Sequence, residues 1–249
     1  MRLEDLTFQE VAQLAPRRVL IFAVGATEQH GPHLPLGTNS ILTEALAGSL
    51  AQFRSHDVLL APYLRYGSSE EHSSFMGTLS LSKSLLQDML LELGLAASGF
   101  KGVGFMTANG GNAEVIQRVV DKLGLGGRRV FSWWPTPRVL TQAALKWSGP
   151  GVVPGLETPD LHAGRTETSA MLALDAKIVR TDKLAQGAIG SPTEILYALQ
   201  KGGVESIASN GILGDPRGSS PAEGSAILGA FTQSLLESFD DFITELAKD

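Results

Sequence analysis

The alternation of short apolar runs with amphipathic segments constrains the fold more than any other feature of this sequence. Four compact apolar runs, at residues 17–25, 57–67, 101–108 and 128–134, indicate buried strands of a parallel sheet. A capping-box pair formed by Thr7 with the glutamate three residues later predicts a short helix before the first run. Further helices are predicted, from apolar residues at helical spacing, at 40–53, 82–99, 113–124, 163–175 and 225–249.

Strand and helix alternate at least four times, which predicts an α/β fold of three layers, α/β/α, with a mostly parallel central sheet. Right-handed crossovers would place helices on both faces of that sheet. The chain has 249 residues and shows no internal repeat or break in composition, so we expect one domain over 1–249. The glycine- and proline-rich segment 148–162 is expected to be an ordered excursion within that domain.

The composition excludes several classes of protein. The net charge is −6 and no cluster of lysine and arginine offsets it, so no nucleic-acid partner is expected. The chain has no cysteine, which excludes a disulfide scaffold, a cysteine nucleophile and thiolate metal ligands. There is neither a signal-peptide pattern nor an apolar run long enough to span a membrane. A cytoplasmic protein with no membrane partner is therefore predicted.

Polar loops follow the predicted strands, at the edge of the sheet where ligands bind in open parallel α/β folds. Their sequences are TEQHGPH after the first strand, SSEEHSS after the second and TANGGN after the third. Four of the five histidines, His30, His33, His72 and His162, lie in loops of this kind. The fifth, His56, precedes a strand and is expected to be a surface residue.

Glu28 and His30 are the first candidate ligands of a metal ion. In an extended segment, side chains two residues apart point the same way, so this carboxylate and this imidazole can converge on one ion. Zinc and iron accept mixed nitrogen and oxygen ligands of this kind. The alternative is that Glu28 caps a turn and His30 bonds to the backbone.

His162 and Glu167 form a second cluster, in the segment DLHAGRTETSAML. His162 precedes a predicted helix, where an imidazole can act as a general acid or base or as a ligand. Glu167 lies within that helix. The alternatives are a capping contact for His162 and a solvated helical acid for Glu167.

Other enzyme classes lack their motifs. The sequence contains no G-x-x-x-x-G-K-[ST], G-x-S-x-G or H-E-x-x-H, and its glycine-rich stretch does not have the spacing G-x-G-x-x-G. A P-loop enzyme, an α/β-type serine hydrolase, a zinc protease of the H-E-x-x-H type and a Rossmann dehydrogenase therefore lose support.

Four ordered motifs, GATEQHGPHLPLGTN, GSSEEHSSFMGTLSL, TANGGN and HAGRTETSAML, together resemble the creatininase (creatinine amidohydrolase) family. The later stretch GGVESIASNGILGDPRGSSPAEG resembles the branch that contains the mycofactocin-maturation peptidase. The resemblance spans nearly the whole chain. It implies a three-layer α/β/α fold, assembly as a homohexamer, and a pair of divalent ions (zinc, manganese or iron) that serves amide hydrolysis.

The resemblance also implies a ligand set that this sequence alters. Glu28 and His30 match the first two ligands, and Glu167 matches the carboxylate that completes the site. Asn39 stands where the family has a bridging aspartate, and Asn109 where it has a histidine. The first ion would be held by Glu28, Asn39 and Asn109, and the second by His30, Asn39 and Glu167. Carboxamides bind zinc or iron weakly, so one ion or two remain open.

By the same resemblance, His162 is expected to move protons at the scissile amide, beside Glu167. The expected function is metal-dependent hydrolysis of a C–N amide bond in a small molecule or a peptide, at an altered metal site. The alternative is a metal-poor, non-catalytic homologue that binds a small molecule or a peptide.

Overall fold

The computed structural model describes residues 1–136, 138–139 and 160–248. Its centre is a sheet of four parallel strands in the order β2-β1-β3-β4. The strands are β1 (Val19–Ala23), β2 (Val58–Leu60), β3 (Gly102–Met106) and β4 (Val130–Trp133). The helices among the described residues are α1 (Phe8–Leu14), α2 (Thr38–Phe53), α3 (Lys83–Ala96), α4 (Gly110–Leu125), α5 (Arg165–Asp175), α6 (Pro192–Gly202) and α7 (Pro221–Leu246).

The side chains of β1 alternate between two apolar layers, which confirms the predicted three-layer α/β/α architecture. Val19 and Ile21 point to a core shared with α2 and α7, and the side chains there include Leu50 and Phe239. Leu20 and its neighbours on the other face pack against α3 and α4. A strand that is buried on both faces needs a continuous apolar sequence, which β1 has.

The strand register brings the carboxyl ends of the strands to one edge of the sheet. Val19 of β1 pairs with Val58 of β2 and with Gly102 of β3, and every pairing is parallel. The loops that follow β1, β2 and β3 therefore leave the sheet side by side. This edge is where a ligand site is expected in such a fold.

Several helix boundaries differ from the predicted ones for local reasons. The capping box of Thr7 is present and starts α1. Helix α2 begins at Thr38, whose hydroxyl donates to the carbonyl of Pro35, so Asn39 lies in the first helical turn rather than in the loop. Helix α4 begins at Gly110 because the side chain of Asn109 caps it. The second strand is shorter than the predicted 57–67.

Helix α6 was missed in the sequence. Ser191 and Glu194 form a capping box and a proline opens the first turn, which are ordinary start signals of a helix. Most of the predicted excursion at 148–162 lies outside the described residues. Among the helices that the structure describes, none is long and apolar enough to cross a lipid bilayer.

Helices α5 and α7 cross closely at Gly224. A β-carbon at this position would overlap the backbone carbonyl of Ser169. Beside the crossing, the guanidinium of Arg165 donates to the buried carboxylate of Glu223 at 2.9 Å, and Ser169 donates to the same carboxylate at 2.8 Å. The crossing fixes α5, the helix that carries Glu167, against the rest of the fold.

Gly224→Ala is expected to lower the free energy of unfolding by about 1–3 kcal/mol, because the added methyl group overpacks the crossing. Gly229→Ala is the matched control in the same helix, since its would-be β-carbon meets no described atom within 4 Å apart from its chain neighbours and the backbone of its own helix. The control should raise the free energy of unfolding by about 0.5–1 kcal/mol through helix propensity. Urea denaturation measures both values. Equal effects of the two substitutions would contradict the close crossing.

Candidate active site

Asn112 of α4 ties together the loops that carry the candidate site. Its side-chain nitrogen donates to the carbonyl of Gly25 at 2.9 Å, and its oxygen accepts from the backbone N–H of Ser68 at 2.9 Å. The loops after β1 and β2 are therefore fixed to the first turn of α4. This asparagine is the last residue of the TANGGN motif, and it has a structural role that sequence analysis did not assign.

Glu28 is a buried carboxylate whose two oxygens are both occupied by donors. The side-chain nitrogen of Asn39 donates to Oε1 at 2.7 Å, and that of Asn109 donates to Oε2 at 3.0 Å. The hydroxyl of Ser69 also donates to Oε2. Burial raises the pKa of Glu28, while His30 and the Ser69 hydrogen bond act to lower it.

The side-chain oxygen of Asn109 also has a hydrogen-bond partner. Its Oδ1 accepts the backbone N–H of Gly111 at 2.6 Å, as a helix cap does. Glu28, Asn39 and Asn109 thus form a hydrogen-bonded cluster in which both amides present N–H groups to the carboxylate. This arrangement does not fit the first of the two predicted metal sites, because both N–H groups point where an ion would need oxygen lone pairs.

His30 and Glu167 face each other at the second predicted site. Nε2 of His30 lies 3.5 Å from Oε1 of Glu167, and the other Glu167 oxygen accepts the N–H of Ala163 at 2.6 Å. Burial acts to lower the pKa of His30, but the nearby Glu167 carboxylate outweighs burial and the net shift is upward. Burial acts to raise the pKa of Glu167, and His30 reverses that shift to a net lowering.

This second group has the donor atoms that a divalent cation requires. Nε2 of His30 and Oδ1 of Asn39 are buried and have no hydrogen-bond partner among the described residues. Nδ1 of His30 approaches the backbone carbonyl of Glu28 at 3.4 Å, which leaves the lone pair of Nε2 directed at Glu167. The 3.5 Å approach of Nε2 to the carboxylate calls for a positive charge between them, and a proton on His30, which its raised pKa favours, supplies that charge in the metal-free protein. A divalent cation can take the place of this proton, so the residues fit one cation.

His162 lies beside the same group. Donor atoms of His30, His162 and Glu167 all lie within 4.8 Å of one another. Nδ1 of His162 is 4.0 Å from Oε1 of Glu28, and its Nε2 is 2.8 Å from the backbone oxygen of Gln29. Burial, with the nearby histidines His30 and His72, holds the pKa of His162 well below its usual value.

Three further side chains belong to the site and were not assigned from the sequence. Ser69 and His72 come from the loop after β2, and Gln29 lies between the two candidate ligands Glu28 and His30. The position of the SSEEHSS loop at a strand end was a usable signal for Ser69 and His72. Nothing in the pattern distinguishes Gln29 from an ordinary loop glutamine.

The last loop histidine, His33, lies beside the centre of the cluster. Its Nε2 lies 2.9 Å from the hydroxyl of Thr168 on α5. Burial lowers the pKa of His33 to about 4, and the neighbouring His30 adds to that shift. His33 thus joins the loop after β1 to the helix that carries Glu167. His56 is exposed, as expected.

A cavity of about 610 Å³ adjoins the loop after β2. The loop residues Glu70 and Glu71 line one side, and the C-terminal end of α6 around Lys201 lines the other. Oε1 of Glu71 lies 3.9 Å from Nε2 of His72. The cavity is therefore lined by Glu71, the residue that precedes His72 in the chain.

Buried carboxylates and imidazoles that converge beyond the ends of parallel strands are typical of metal-binding sites in α/β proteins. A family model described as creatinine amidohydrolase matches residues 4–239 of the chain. The chain belongs to the creatininase family.

Relatives with curated names are of two kinds. The chain is 34% identical over 238 residues to the mycofactocin precursor peptide peptidase of Mycobacterium ulcerans (strain Agy99), an alignment that covers 92% of this chain and 84% of the relative. It is 30% identical over 184 residues to the creatinine amidohydrolase of Pseudomonas putida, which covers 67% of this chain and 68% of the relative.

Solved structures of creatininases share the fold. A structure described as "Creatininase Mn" superposes with a TM-score of 0.78 at 24% identity, and the match covers 96% of this chain and 97% of the other. A mutant creatininase described as "Zn-Zn type" gives a TM-score of 0.77 at 25% identity, with the same coverage of both chains.

Asn39→Asp is expected to destabilise the metal-free protein and to strengthen its response to Zn²⁺. The substitution replaces an N–H donor by a second carboxylate next to Oε1 of Glu28, so two buried like charges meet. Without metal, the free energy of unfolding should fall by about 2 kcal/mol or more, and the melting temperature should fall with it. The increase in melting temperature on adding Zn²⁺ should exceed that of the wild type, because a ligand stabilises the fold according to its affinity.

Gln52→Glu is the matched control for this experiment, since it makes the same change from amide to carboxylate at an exposed position of the same helix, outside the site. The control should change neither quantity appreciably. An Asn39→Asp protein with wild-type stability and a wild-type response to Zn²⁺ would show that Asn39 does not donate to Glu28.

Proposed function

We propose that this chain is a metal-dependent hydrolase of C–N amide bonds that uses one divalent ion rather than two. The observation that carries the proposal is the 3.5 Å approach of Nε2 of His30 to Oε1 of Glu167, at the strand ends of a creatininase-family fold. The buried Oδ1 of Asn39, which has no partner among the described residues, supports it.

His30, Glu167 and Asn39 would hold the ion, which would be zinc, iron or manganese. A nitrogen, a carboxylate oxygen and an amide oxygen form a mixed set that these metals accept, with room left for water and substrate. When bound, such an ion polarises the amide carbonyl and lowers the pKa of water toward neutrality. Glu28 and Asn109 are then supporting groups, because their polar atoms are already bonded to each other and to the backbone.

His162 is the proton carrier in this proposal. Its Nδ1 is 4.0 Å from Glu28, and one of its ring nitrogens lies within 4.8 Å of donor atoms of His30 and Glu167. The low pKa of His162 leaves the imidazole unprotonated at neutral pH, so a ring nitrogen is free to accept a proton. Nδ1 can accept a proton from the attacking water and return it to the leaving nitrogen. Glu28, 4.0 Å from this nitrogen, stabilises the positive charge that His162 carries between the two transfers.

The names of the relatives favour a peptide amide as the substrate in this proposal. Four curated relatives at 32–34% identity are named as peptidases of the mycofactocin precursor, whereas the named creatinine amidohydrolase is 30% identical over a shorter stretch. The cavity beside Glu71 offers space for a chain that extends away from the cluster.

A second candidate function is ligand binding without hydrolysis. The closed cluster of Glu28, Asn39 and Asn109 favours it, since a buried carboxylate with three donors is stable without any metal. A protein of this kind would bind a small molecule or a peptide in the same place and leave it intact.

Elemental analysis after reconstitution with Zn²⁺ and removal of excess metal separates these functions. We expect about one ion per chain, and hydrolysis of a peptide amide that depends on it. Glu167→Gln should raise the Kd for Zn²⁺ by more than about tenfold, because even the loss of a group that only supports a ligand costs about 10–100-fold. Hydrolysis should be lost in parallel.

Glu92→Gln is the control, since it makes the same change at an exposed position of α3. It should keep the wild-type metal content and activity. A protein that retains no zinc, iron or manganese would refute the hydrolase proposal. Binding of a peptide by such a protein, without cleavage, would establish the second candidate.

A further inference from the structure

We propose that Gln29 and His72 are positioning residues that hold His162 with its proton on Nε2 and its lone pair on Nδ1, the nitrogen that faces Glu28. The orientation itself follows from contacts in the chain. Its catalytic consequence rests on the proposed function.

The backbone fixes the orientation of the Gln29 side chain. Its Oε1 accepts the N–H of Gly31 at 2.9 Å, and its Nε2 donates to the carbonyl of Gly211 at 3.0 Å. A reversed amide would place an N–H group against an N–H group and an oxygen against an oxygen. Gly211 has a φ of +74°, and a β-carbon there would overlap Gln29, so only glycine permits this approach.

The fixed amide of Gln29 determines the tautomer of His72. The second hydrogen on Nε2 of Gln29 points to Nδ1 of His72, 2.8 Å away, so Nδ1 is an acceptor. A ring nitrogen that accepts a hydrogen bond bears no proton, so the His72 ring is neutral and its single proton is on Nε2. That N–H lies 3.9 Å from the carboxylate of Glu71, on the side of the cavity.

The same reasoning determines the tautomer of His162. Both hydrogens of the Gln29 amide are already donated, so its 3.2 Å approach to Nε2 of His162 is not a hydrogen bond. The backbone carbonyl of Gln29 lies 2.8 Å from the same Nε2 and accepts its proton. Nδ1 of His162 therefore has the lone pair, and it is the nitrogen 4.0 Å from Glu28.

His72 also restrains the ring of His162. The ring centroid of His162 lies 4.2 Å from that of His30 and 4.3 Å from that of His72, with all three rings buried. A half-turn of the His162 ring would remove its proton from the Gln29 carbonyl and leave that buried oxygen without its donor. His72, from the loop after β2, packs against this ring and takes the second hydrogen of the Gln29 amide, which would otherwise face Nε2 of His162.

His72 is accordingly not a metal ligand, although donor atoms of Glu28, His72 and His162 lie within 4.8 Å of one another. One nitrogen of His72 accepts from Gln29 and the other bears the proton. This distinguishes His72 from His30, whose Nε2 has no hydrogen-bond partner among the described residues.

Nitrogen NMR of protein labelled with ¹⁵N at histidine tests the assignment directly, because the two ring nitrogens have different shifts in each tautomer. The wild-type protein at neutral pH should show the Nε2–H tautomer for both His72 and His162. Added Zn²⁺ should shift the His30 resonances and leave both nitrogens of His72 unchanged. The Nδ1–H tautomer at His162, or a His72 nitrogen that shifts as a bound ligand does, would overturn the proposal.

Two variants of His72 separate positioning from general packing. His72→Asn keeps an acceptor near the position of Nδ1, whereas His72→Leu removes it at similar volume. His72→Leu should lower kcat for a peptide amide by about 10–100-fold, as loss of a supporting group does, with KM within about twofold. The ¹⁵N spectrum of His72→Leu should show His162 in more than one state. His72→Asn should restore a single His162 state and most of the activity.

Equal behaviour of the two variants would contradict a positioning role. If His72→Leu does not fold, the wild-type tautomers still decide the proposal. The NMR result needs neither metal nor substrate, so it can succeed where the proposed hydrolase function fails, and the metal analysis above decides that function by itself.

Discussion

The buried carboxylate of Glu28 is the interaction on which the rest of the site depends. Its donors come from three places in the fold: the first turn of α2, the loop after β2 and the start of α4. Each hydrogen bond to a charged group contributes about 1.5–3 kcal/mol, and together they offset part of the desolvation of one buried charge. Because parallel register brings these elements to one edge of the sheet, the side chain of Glu28 can accept hydrogen bonds from all three.

The same hydrogen bonds explain why the chemistry divides between two neighbouring groups. Asn39 and Asn109 present N–H donors to Glu28, which leaves this half of the site complete without an ion. His30 and Glu167 face each other across 3.5 Å, and the positive charge that their half needs can come from a proton or from a cation. In the proposed function, the two carboxamides that stand where the family resemblance implies an aspartate and a histidine therefore remove one ion site and leave the other.

The sequence was sufficient for most of the fold and for part of the site. Continuous apolar runs predicted the four parallel strands, because a strand that is buried on both faces is apolar at nearly every position. Spacing placed Glu28 and His30 on one side of an extended loop, and they do lie close together. Helix α6 was not predicted, although Ser191 and Glu194 carry a start signal.

The orientation of an amide could not be predicted from sequence. Whether Asn39 offers oxygen or nitrogen to a neighbour depends on what faces it across the site, and Glu28 decides that here. Gln29 is a similar case, since Gly31 and the distant Gly211 together fix its amide. The single domain over 1–249, the hexameric assembly and the cytoplasmic location stay predictions.

Anomalous diffraction at the zinc absorption edge, from crystals of the protein reconstituted with Zn²⁺, tests the central claim most directly. The account predicts one anomalous peak per chain, located between Nε2 of His30 and Oε1 of Glu167 and within coordination distance of Oδ1 of Asn39. Two peaks per chain, with one beside Glu28 and Asn109, would contradict it. The absence of any peak in this group would contradict it as well.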